Sequence, residues 1–145
     1  MPQAQKAISV PTHAMDIMPT ILALANIETT QNQAKKLNMQ GVSLLSTLHG
    51  EKNKALFGRG FGGELFGMRY YRKANWKALL MPEPYGSGDW QLYDISLDPG
   101  EQNDLSASHP KLAAQLTSAW EDYSKINGVV EPDKPIAYAK PPTLH

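Results

Sequence analysis

The sequence predicts an α+β domain, in which a small antiparallel sheet of about four strands packs against one long amphipathic helix and short helices precede the sheet. Between residues 56 and 95, Phe, Tyr, Leu and Gly are frequent and no helical period is present. Between residues 108 and 127, apolar residues recur on one helical stripe. A chain of 145 residues is long enough for one hydrophobic core, so residues 1–145 are interpreted as a single domain.

Residues 8–55 are predicted to form a connecting segment of short helices. Asp16 is a suitable N-cap for the first helix, and Pro19 falls in its first turn, where a missing N–H is tolerated. Apolar residues then follow at helical spacing, namely Ile17, Ile21 and Leu24. Asn26 is suited to a left-handed C-cap.

The rest of this segment contains a loop and a short helical stretch. Residues 28–38 have no apolar periodicity and are predicted to form a surface loop. Residues 41–50 are predicted to form one or two helical turns, with Ser43 as the cap and Gly50 at the end.

Residues 56–95 are predicted to form the sheet, with strands over residues 56–66, 68–73, 76–81 and 90–95. Ala74-Asn75 is the expected tight turn between the second and third strands, with Asn75 taking the unusual backbone angles. After the last strand, Asp98-Pro99-Gly100 has the composition of a turn in which the glycine takes a positive φ.

Residues 108–127 are predicted to form the packing helix, with Ser108 as the N-cap and Pro110 in the first turn. Its apolar stripe consists of Leu112, Leu116, Ala119, Trp120 and Tyr123. Asn127-Gly128 is expected to end the helix. Residues 131–145 contain four prolines and are predicted to form an extended tail.

Composition excludes several classes of function. Fourteen basic and fourteen acidic side chains cancel, so the balance favours neither nucleic acid nor an anionic membrane surface. The absence of cysteine excludes disulfides, thiolate metal sites and cysteine nucleophiles. We expect no membrane span, because no apolar run approaches about 18 residues, and no secretory signal is recognisable at the start.

Several short motifs share their order with the C-terminal region of a known enzyme family. They are His13 to Ile27 with its Asp, Pro-Thr and Leu-rich helix, Gly41-Val-Ser-Leu-Leu, Asn75-Trp76-Lys77, Leu92-Tyr93-Asp94, Asp98-Pro99-Gly100-Glu101, Asn103-Asp104-Leu105 and His109-Pro110. In this order the chain resembles the C-terminal subdomain of arylsulfatase-like sulfatases, in the alkaline phosphatase superfamily. The resemblance runs from about Val10 to Val129.

The resemblance implies an enzyme that hydrolyses sulfate esters with a formylglycine and a calcium ion. The family's Cys/Ser-x-Pro-x-Arg nucleophile motif and its calcium-binding Asp residues have no counterpart in this chain. Ser9 and Pro11 have the spacing of that motif, but His13 replaces its arginine, and a strand end is the preferred interpretation. We therefore expect no catalytic, cofactor-binding or metal-binding residue in this chain. The formylglycine and the calcium ion are expected in the parent enzyme.

A few residues remain as candidates for a functional role. His13 is a candidate for the substrate cleft of an intact enzyme, against a plain hydrogen-bonding role. Arg69 and Lys77 are expected to make cross-strand pairs with Glu64 or Asp94 rather than to bind an anion. Core packing is preferred over sugar stacking for two side chains, Trp76 and Trp90. A turn with helix capping is preferred over a cation site for three others, Asp98, Glu101 and Asp104.

The predicted function is the C-terminal fragment of an arylsulfatase, with a structural and cleft-lining role and no catalysis of its own. Its expected partner is the N-terminal catalytic sulfatase domain, with a homo-oligomer as a further expectation. By resemblance, the location is the periplasm or the cell exterior. The alternatives are an independent binding or oligomerisation module and the tail of a related phosphodiesterase or phosphonate hydrolase, because these carboxyl-terminal motifs do not select the ester.

Overall fold

The computed structural model describes residues 10–28 and 30–130. The chain divides into two compact units, one ending at Arg59 and one beginning at Gly60. The first unit contains short helices, and the second contains a sheet and a long helix. The predicted α+β class is confirmed by this order of elements. The tail predicted over residues 131–145 lies outside the described residues.

The first unit begins with a 3-10 turn, Ala14–Asp16, that continues directly into a helix. Its helices are α1 (Ile17–Leu24), α2 (Gln31–Lys36), α3 (Leu45–Leu48) and α4 (Lys54–Gly58). Asn26 adopts a φ of 54°, which ends α1 in the left-handed conformation predicted from the sequence.

Helix α2 occupies residues that were predicted to form a loop, so that prediction was wrong. The Thr30 side chain accepts a hydrogen bond from the backbone N–H of Gln33 at 3.3 Å. The Gln33 side chain accepts one from the Thr30 N–H at 2.9 Å. This reciprocal capping box starts a helix through local polar bonds, which a search for apolar periodicity does not detect.

The sheet begins at Gly60, four residues later than predicted, because residues 54–58 form α4. The Asn53 side chain accepts a hydrogen bond from the Ala55 N–H at 3.1 Å and caps that helix. Leu56, which had been assigned to the first strand, is fully buried from within α4.

The second unit contains one four-stranded antiparallel sheet in the order β1-β2-β3-β4. The strands are β1 (Gly60–Leu65), β2 (Met68–Lys73), β3 (Trp76–Leu80) and β4 (Trp90–Asp94). Helix α5 (Pro110–Asn127) follows them. Residues opposite one another on neighbouring strands share a face, and one such row consists of Gly62, Tyr71, Ala78 and Leu92.

Helix α5 covers that face and completes the core of the second unit. Ala78, Leu92 and Leu116 are buried together. Tyr71, Trp76, Trp90, Leu105, Leu112 and Ala113 pack around them. Core packing of the two tryptophans, predicted from the sequence, is therefore confirmed. A Cβ atom at Gly62 would lie 2.9 Å from a ring carbon of Tyr123, so this glycine allows α5 to approach β1 closely.

Three turn and cap predictions differ in detail from the structure. The positive φ in the β2–β3 turn, 52°, is at Ala74 rather than Asn75. In the turn after β4 it is at Glu101, with a φ of 54°, rather than at Gly100. The N-cap of α5 is His109, while the Ser108 hydroxyl donates to the Leu105 carbonyl at 3.0 Å. In each case the chain changes direction where predicted, but a neighbouring residue takes the special conformation.

The end of α5 is as predicted, with Gly128 in the left-handed conformation at a φ of 64°. Among the helices of the described residues, none combines the length and the apolar character needed to cross a membrane.

Candidate functional site

A polar site of the first unit is centred on Asp16, whose side chain is fully buried. Its carboxylate accepts hydrogen bonds from the backbone N–H of His13 at 2.8 Å and of Val42 at 2.9 Å. Both terminal nitrogens of Arg59 donate to the two carboxylate oxygens as a bidentate ion pair. Asp16 therefore joins three segments of the first unit that are distant in sequence.

Thr20 extends this network by one helical turn. Its hydroxyl donates to the Asp16 carbonyl at 2.6 Å and accepts from the Leu44 N–H at 2.9 Å. Gly41 lies so close to the Met15 carbonyl that a Cβ atom there would overlap it. Residues 41–44 are consequently held against the start of α1 by hydrogen bonds and by the absence of a side chain.

The electrostatics identify Asp16 as a fixed anion. Burial by itself would raise the pKa of Asp16, but the hydrogen bonds from Arg59, Val42 and His13 and the charge of Arg59 together hold that pKa below its ordinary value of 3.8. A carboxylate with a lowered pKa and a bidentate arginine partner is poorly suited to act as a general acid or base near neutral pH. The site therefore has the chemistry of a structural ion pair.

Asp16 was predicted as a helix N-cap, and that assignment is correct in position but not in mechanism. It precedes α1, yet its side chain makes no capping hydrogen bond to that helix. Its partner Arg59 could not be predicted, because 43 residues separate the two and no local spacing relates them. The signal in the sequence was an acidic residue before an apolar helix, and it could not identify the cation.

His13 is half-buried and caps the 3-10 turn. Its Nδ1 atom accepts a hydrogen bond from the Met15 N–H at 3.3 Å, which leaves the ring proton on Nε2 in the neutral form. The side chain is thereby held in one orientation next to the Asp16 network. Its assignment to a substrate cleft stays a prediction, and Ser9, the other polar residue of that motif comparison, lies outside the described residues.

Within the described residues, the other histidines form no cluster with acidic side chains that could hold a metal ion. His109 packs against Trp76 with a distance of 5.4 Å between ring centroids. His49 is exposed at the end of α3, and His145 lies outside the described residues. Over residues 10–28 and 30–130, no three His, Cys, Asp or Glu side chains are grouped so that they could hold a metal ion.

The two basic residues of the sheet have structural contacts. Lys77 pairs with Glu101 at 2.6 Å, so its predicted partners, Glu64 and Asp94, were wrong. This ion pair ties β3 to the turn after β4. Arg69 lies directly opposite Glu64 in the β1–β2 register, as expected of cross-strand neighbours, and its guanidinium stands 5.2 Å from the centroid of the Trp120 ring.

The acidic residues after β4 organise a turn, as predicted. Asp98 accepts hydrogen bonds from the N–H groups of Gln102 and Asn103, both at 2.8 Å. Asp104 accepts a hydrogen bond from the Leu92 N–H at 3.0 Å, which gives a partner to a backbone N–H on the outer edge of β4. Burial would raise the pKa of Asp104, but its bonds to Leu92 and Ser106 lower that pKa below the ordinary value.

Helix α1 carries an exposed apolar surface. Four large side chains of this helix are each 54–59% exposed: Ile17, Met18, Ile21 and Leu24. We call these four residues the α1 stripe. In contrast, Thr20, the polar residue of this helix, is 8% exposed, and the preceding Asp16 is fully buried. Helix α1 therefore buries its hydroxyl side chain while four large apolar side chains face solvent, which differs from the usual arrangement of a surface helix.

Comparison with known proteins relates this chain to sulfatases. No protein-family model matches it. It is 35% identical over 121 residues to an uncharacterized sulfatase of Schizosaccharomyces pombe, in an alignment that covers 80% of this chain and 22% of that protein.

Two solved structures have a similar fold. Ps i-CgsB, crystallised in complex with k-i-k-neocarrahexaose, matches with a TM-score of 0.64 and 26% identity over 85% of this chain and 27% of its own. A 2-O GAG sulfatase matches with a TM-score of 0.54 and 27% identity over 79% of this chain and 25% of its own. The chain thus spans about a quarter of the length of these relatives. The sulfatase resemblance inferred from the short motifs is confirmed.

Proposed function

We propose that this sulfatase-related chain is the C-terminal subdomain of an arylsulfatase-like sulfuric ester hydrolase and does not catalyse the reaction alone. The observation that carries the proposal is the extent of the match, which covers 80% of this chain but only 22% of a sulfatase. In this proposal, the chain completes the fold of a larger enzyme and forms one wall of its substrate cleft.

The contacts of the polar residues support a structural role. Asp16 is committed to Arg59, and Lys77 is committed to Glu101. Asp98 and Asp104 accept backbone N–H groups in the turn after β4. A catalytic constellation needs a nucleophile, an acid or base and an electrophilic group converging on one point. These side chains instead hold local segments together.

We assign the chemistry to a catalytic part of the larger enzyme that carries the formylglycine and the calcium ion. His13 is the residue of this chain proposed to face the cleft. The support for this assignment is that the Met15 N–H bond to Nδ1 holds the ring in one orientation. Export to the periplasm or the cell exterior follows from the same resemblance, and a homo-oligomer is a further part of the proposal.

The test begins with the coding sequence that precedes Met1. The whole reading frame is expected to carry Cys/Ser-x-Pro-x-Arg and, once expressed with its formylglycine and calcium, to hydrolyse p-nitrophenyl sulfate. The same polypeptide with alanine at the nucleophile is the control and should be inactive. The 145-residue chain should show no hydrolysis when assayed alone.

Two results would contradict this function. If the whole polypeptide cleaved bis-p-nitrophenyl phosphate but not the sulfate ester, the parent would be a phosphodiesterase. If the reading frame consisted of this chain only, an independent binding or oligomerisation module would be the better explanation.

A further inference from the structure

The α1 stripe is an exposed apolar surface formed by four neighbouring side chains of one helix. Its four side chains recur at positions i, i+1, i+4 and i+7, so they lie on one side of α1. The helix sequence, Ile-Met-Pro-Thr-Ile-Leu-Ala-Leu, contains no charged residue. A solvent-facing helix surface normally carries charged or polar residues, and concentrated apolar exposure marks a surface that another surface covers.

The inward side of α1 explains why this orientation is fixed. Thr20 bonds both the Asp16 carbonyl and the Leu44 N–H, and the Asp16 carboxylate is paired with Arg59. Rotating α1 to bury the stripe within this unit would break those bonds and leave buried polar groups unpaired. The α1 stripe is therefore held outward by the polar contacts of Thr20 and Asp16.

The properties of the stripe limit what can cover it. Because it has no charge, it offers nothing to an anionic or cationic partner, and an apolar protein surface suits it. A second copy of α1 is too small a partner, because α1 has eight residues and a stable interface between separate molecules uses about 20–30 residues a side. A surface on the same polypeptide avoids this requirement, since linkage gives it a high effective concentration.

Such a polypeptide is available under the proposed function. The chain corresponds to 22% of the sulfatase it matches, so most of a protein of that size would lie outside this chain. We propose that the α1 stripe docks against an apolar surface of that remaining sulfatase polypeptide. This inference rests on the proposed function and adds to it the face through which the subdomain is joined to the rest of the enzyme.

The experiment compares one substitution in two settings. Ile21→Lys replaces the middle of the stripe, where the side chain is 58% exposed. The matched control is Ile126→Lys in α5, which also replaces a helical isoleucine, here 76% exposed and outside the stripe. Each variant is made in the 145-residue chain and in the polypeptide encoded by the whole reading frame, and melting temperature and sedimentation are measured.

In the 145-residue chain, Ile21→Lys should leave the melting temperature unchanged and weaken self-association. In the whole polypeptide it should lower the melting temperature by several degrees and reduce the soluble yield, because a lysine would enter a buried interface. Ile126→Lys should leave the melting temperature of both proteins unchanged.

Two outcomes would overturn the inference. An equal loss of melting temperature in both settings would place the stripe in the core of the first unit. An unchanged whole polypeptide would mean that the stripe stays in solvent. Sulfate ester hydrolysis by the unsubstituted whole polypeptide is measured separately. If Ile21→Lys destabilised the whole polypeptide but the unsubstituted protein cleaved another ester, the docking face would be supported and only the proposed function would be refuted.

Discussion

Removal of Arg59 is expected to destabilise the first unit more than removal of any exposed charge. Arg59→Met keeps most of the length and apolar character of the side chain but leaves the Asp16 carboxylate without its cation. Breaking a buried ion pair by removing one partner costs about 3–5 kcal/mol. The Arg59 side chain is 12% exposed and Asp16 retains the N–H groups of His13 and Val42. These features place the expected loss near the lower end, at about 3 kcal/mol.

A double-mutant cycle separates the ion pair from the packing of Arg59. Asp16→Asn is nearly isosteric and removes the charge. In the Arg59→Met background, this substitution therefore leaves no buried carboxylate without a cation. The double variant should therefore be more stable than the sum of the two single losses predicts, by about 1–3 kcal/mol. Additive losses would mean that the two side chains act independently, and the ion-pair interpretation would then be wrong.

The assay has to report on the first unit. All three tryptophans, Trp76, Trp90 and Trp120, lie in the second unit, so their fluorescence does not report on α1 directly. The backbone amide of Val42, which donates to Asp16, is a local probe by hydrogen exchange. A loss of about 3 kcal/mol corresponds to roughly a hundredfold faster exchange from the open state. Unchanged exchange at Val42 in Arg59→Met would refute the reasoning.

The same pair predicts a pH dependence with a definite sign. Because the folded-state pKa of Asp16 lies below 3.8, its stabilising contribution is complete above that pH and is lost as the pH falls through the lower, folded-state value. In Arg59→Met, burial loses its main opponent, so the folded-state pKa of Asp16 should rise toward or above its ordinary value. The acid loss of stability that Asp16 causes in the parent should then become smaller or reverse. Val42 exchange measured between neutral pH and acid tests this difference, and an Arg59→Met variant that loses as much stability in acid as the parent would contradict it.

Three smaller substitutions test individual contacts. Gly41→Ala should cost about 1–3 kcal/mol by circular dichroism, because the new methyl group would overlap the Met15 carbonyl; no loss would show that this approach is not tight. Thr47→Val should be neutral or stabilising by up to about 1 kcal/mol in urea unfolding, because the buried Thr47 hydroxyl has no hydrogen-bond partner in the part of the chain that the structure describes, and a clear loss would reveal one. Lys77→Met should cost at most about 1 kcal/mol by tryptophan fluorescence, because Lys77 and Glu101 are both partly exposed; a loss of several kcal/mol would contradict that limit.

The second unit was largely predictable because its signals are local. The hairpin between residues 73 and 76 leaves room for only a two-residue turn, which fixes the β2–β3 register. The stripe of α5 contains Leu116 and Trp120, the two buried residues of that helix, and Gly128 marks its end. What the sequence could not assign was the residue that takes the positive φ in each turn, since neighbouring residues can exchange that role.

The first unit was less predictable because its determinants are polar or distant. Helix α2 starts at the Thr30–Gln33 capping box, which contains no apolar residue. Asp16 and Arg59 meet across 43 residues, and that pairing is a property of the folded chain alone. The spacing of Ile21 and its apolar neighbours predicted α1 correctly, but periodicity gives the existence of an apolar face and not whether it faces inward or outward.

The orientation of α1 matters because of the free energy that its exposed face can contribute. Burying one large aliphatic side chain contributes about 1.5–3 kcal/mol, and each residue of the α1 stripe is already somewhat under half buried. Covering the remaining exposed part of all four would contribute roughly 3–7 kcal/mol. A whole domain has a net stability of about 5–15 kcal/mol, so this contribution is of the same order. The polar contacts of Asp16 and Thr20 therefore have a second consequence. Because they hold the α1 stripe outward, the free energy of burying it is gained only when another surface covers it.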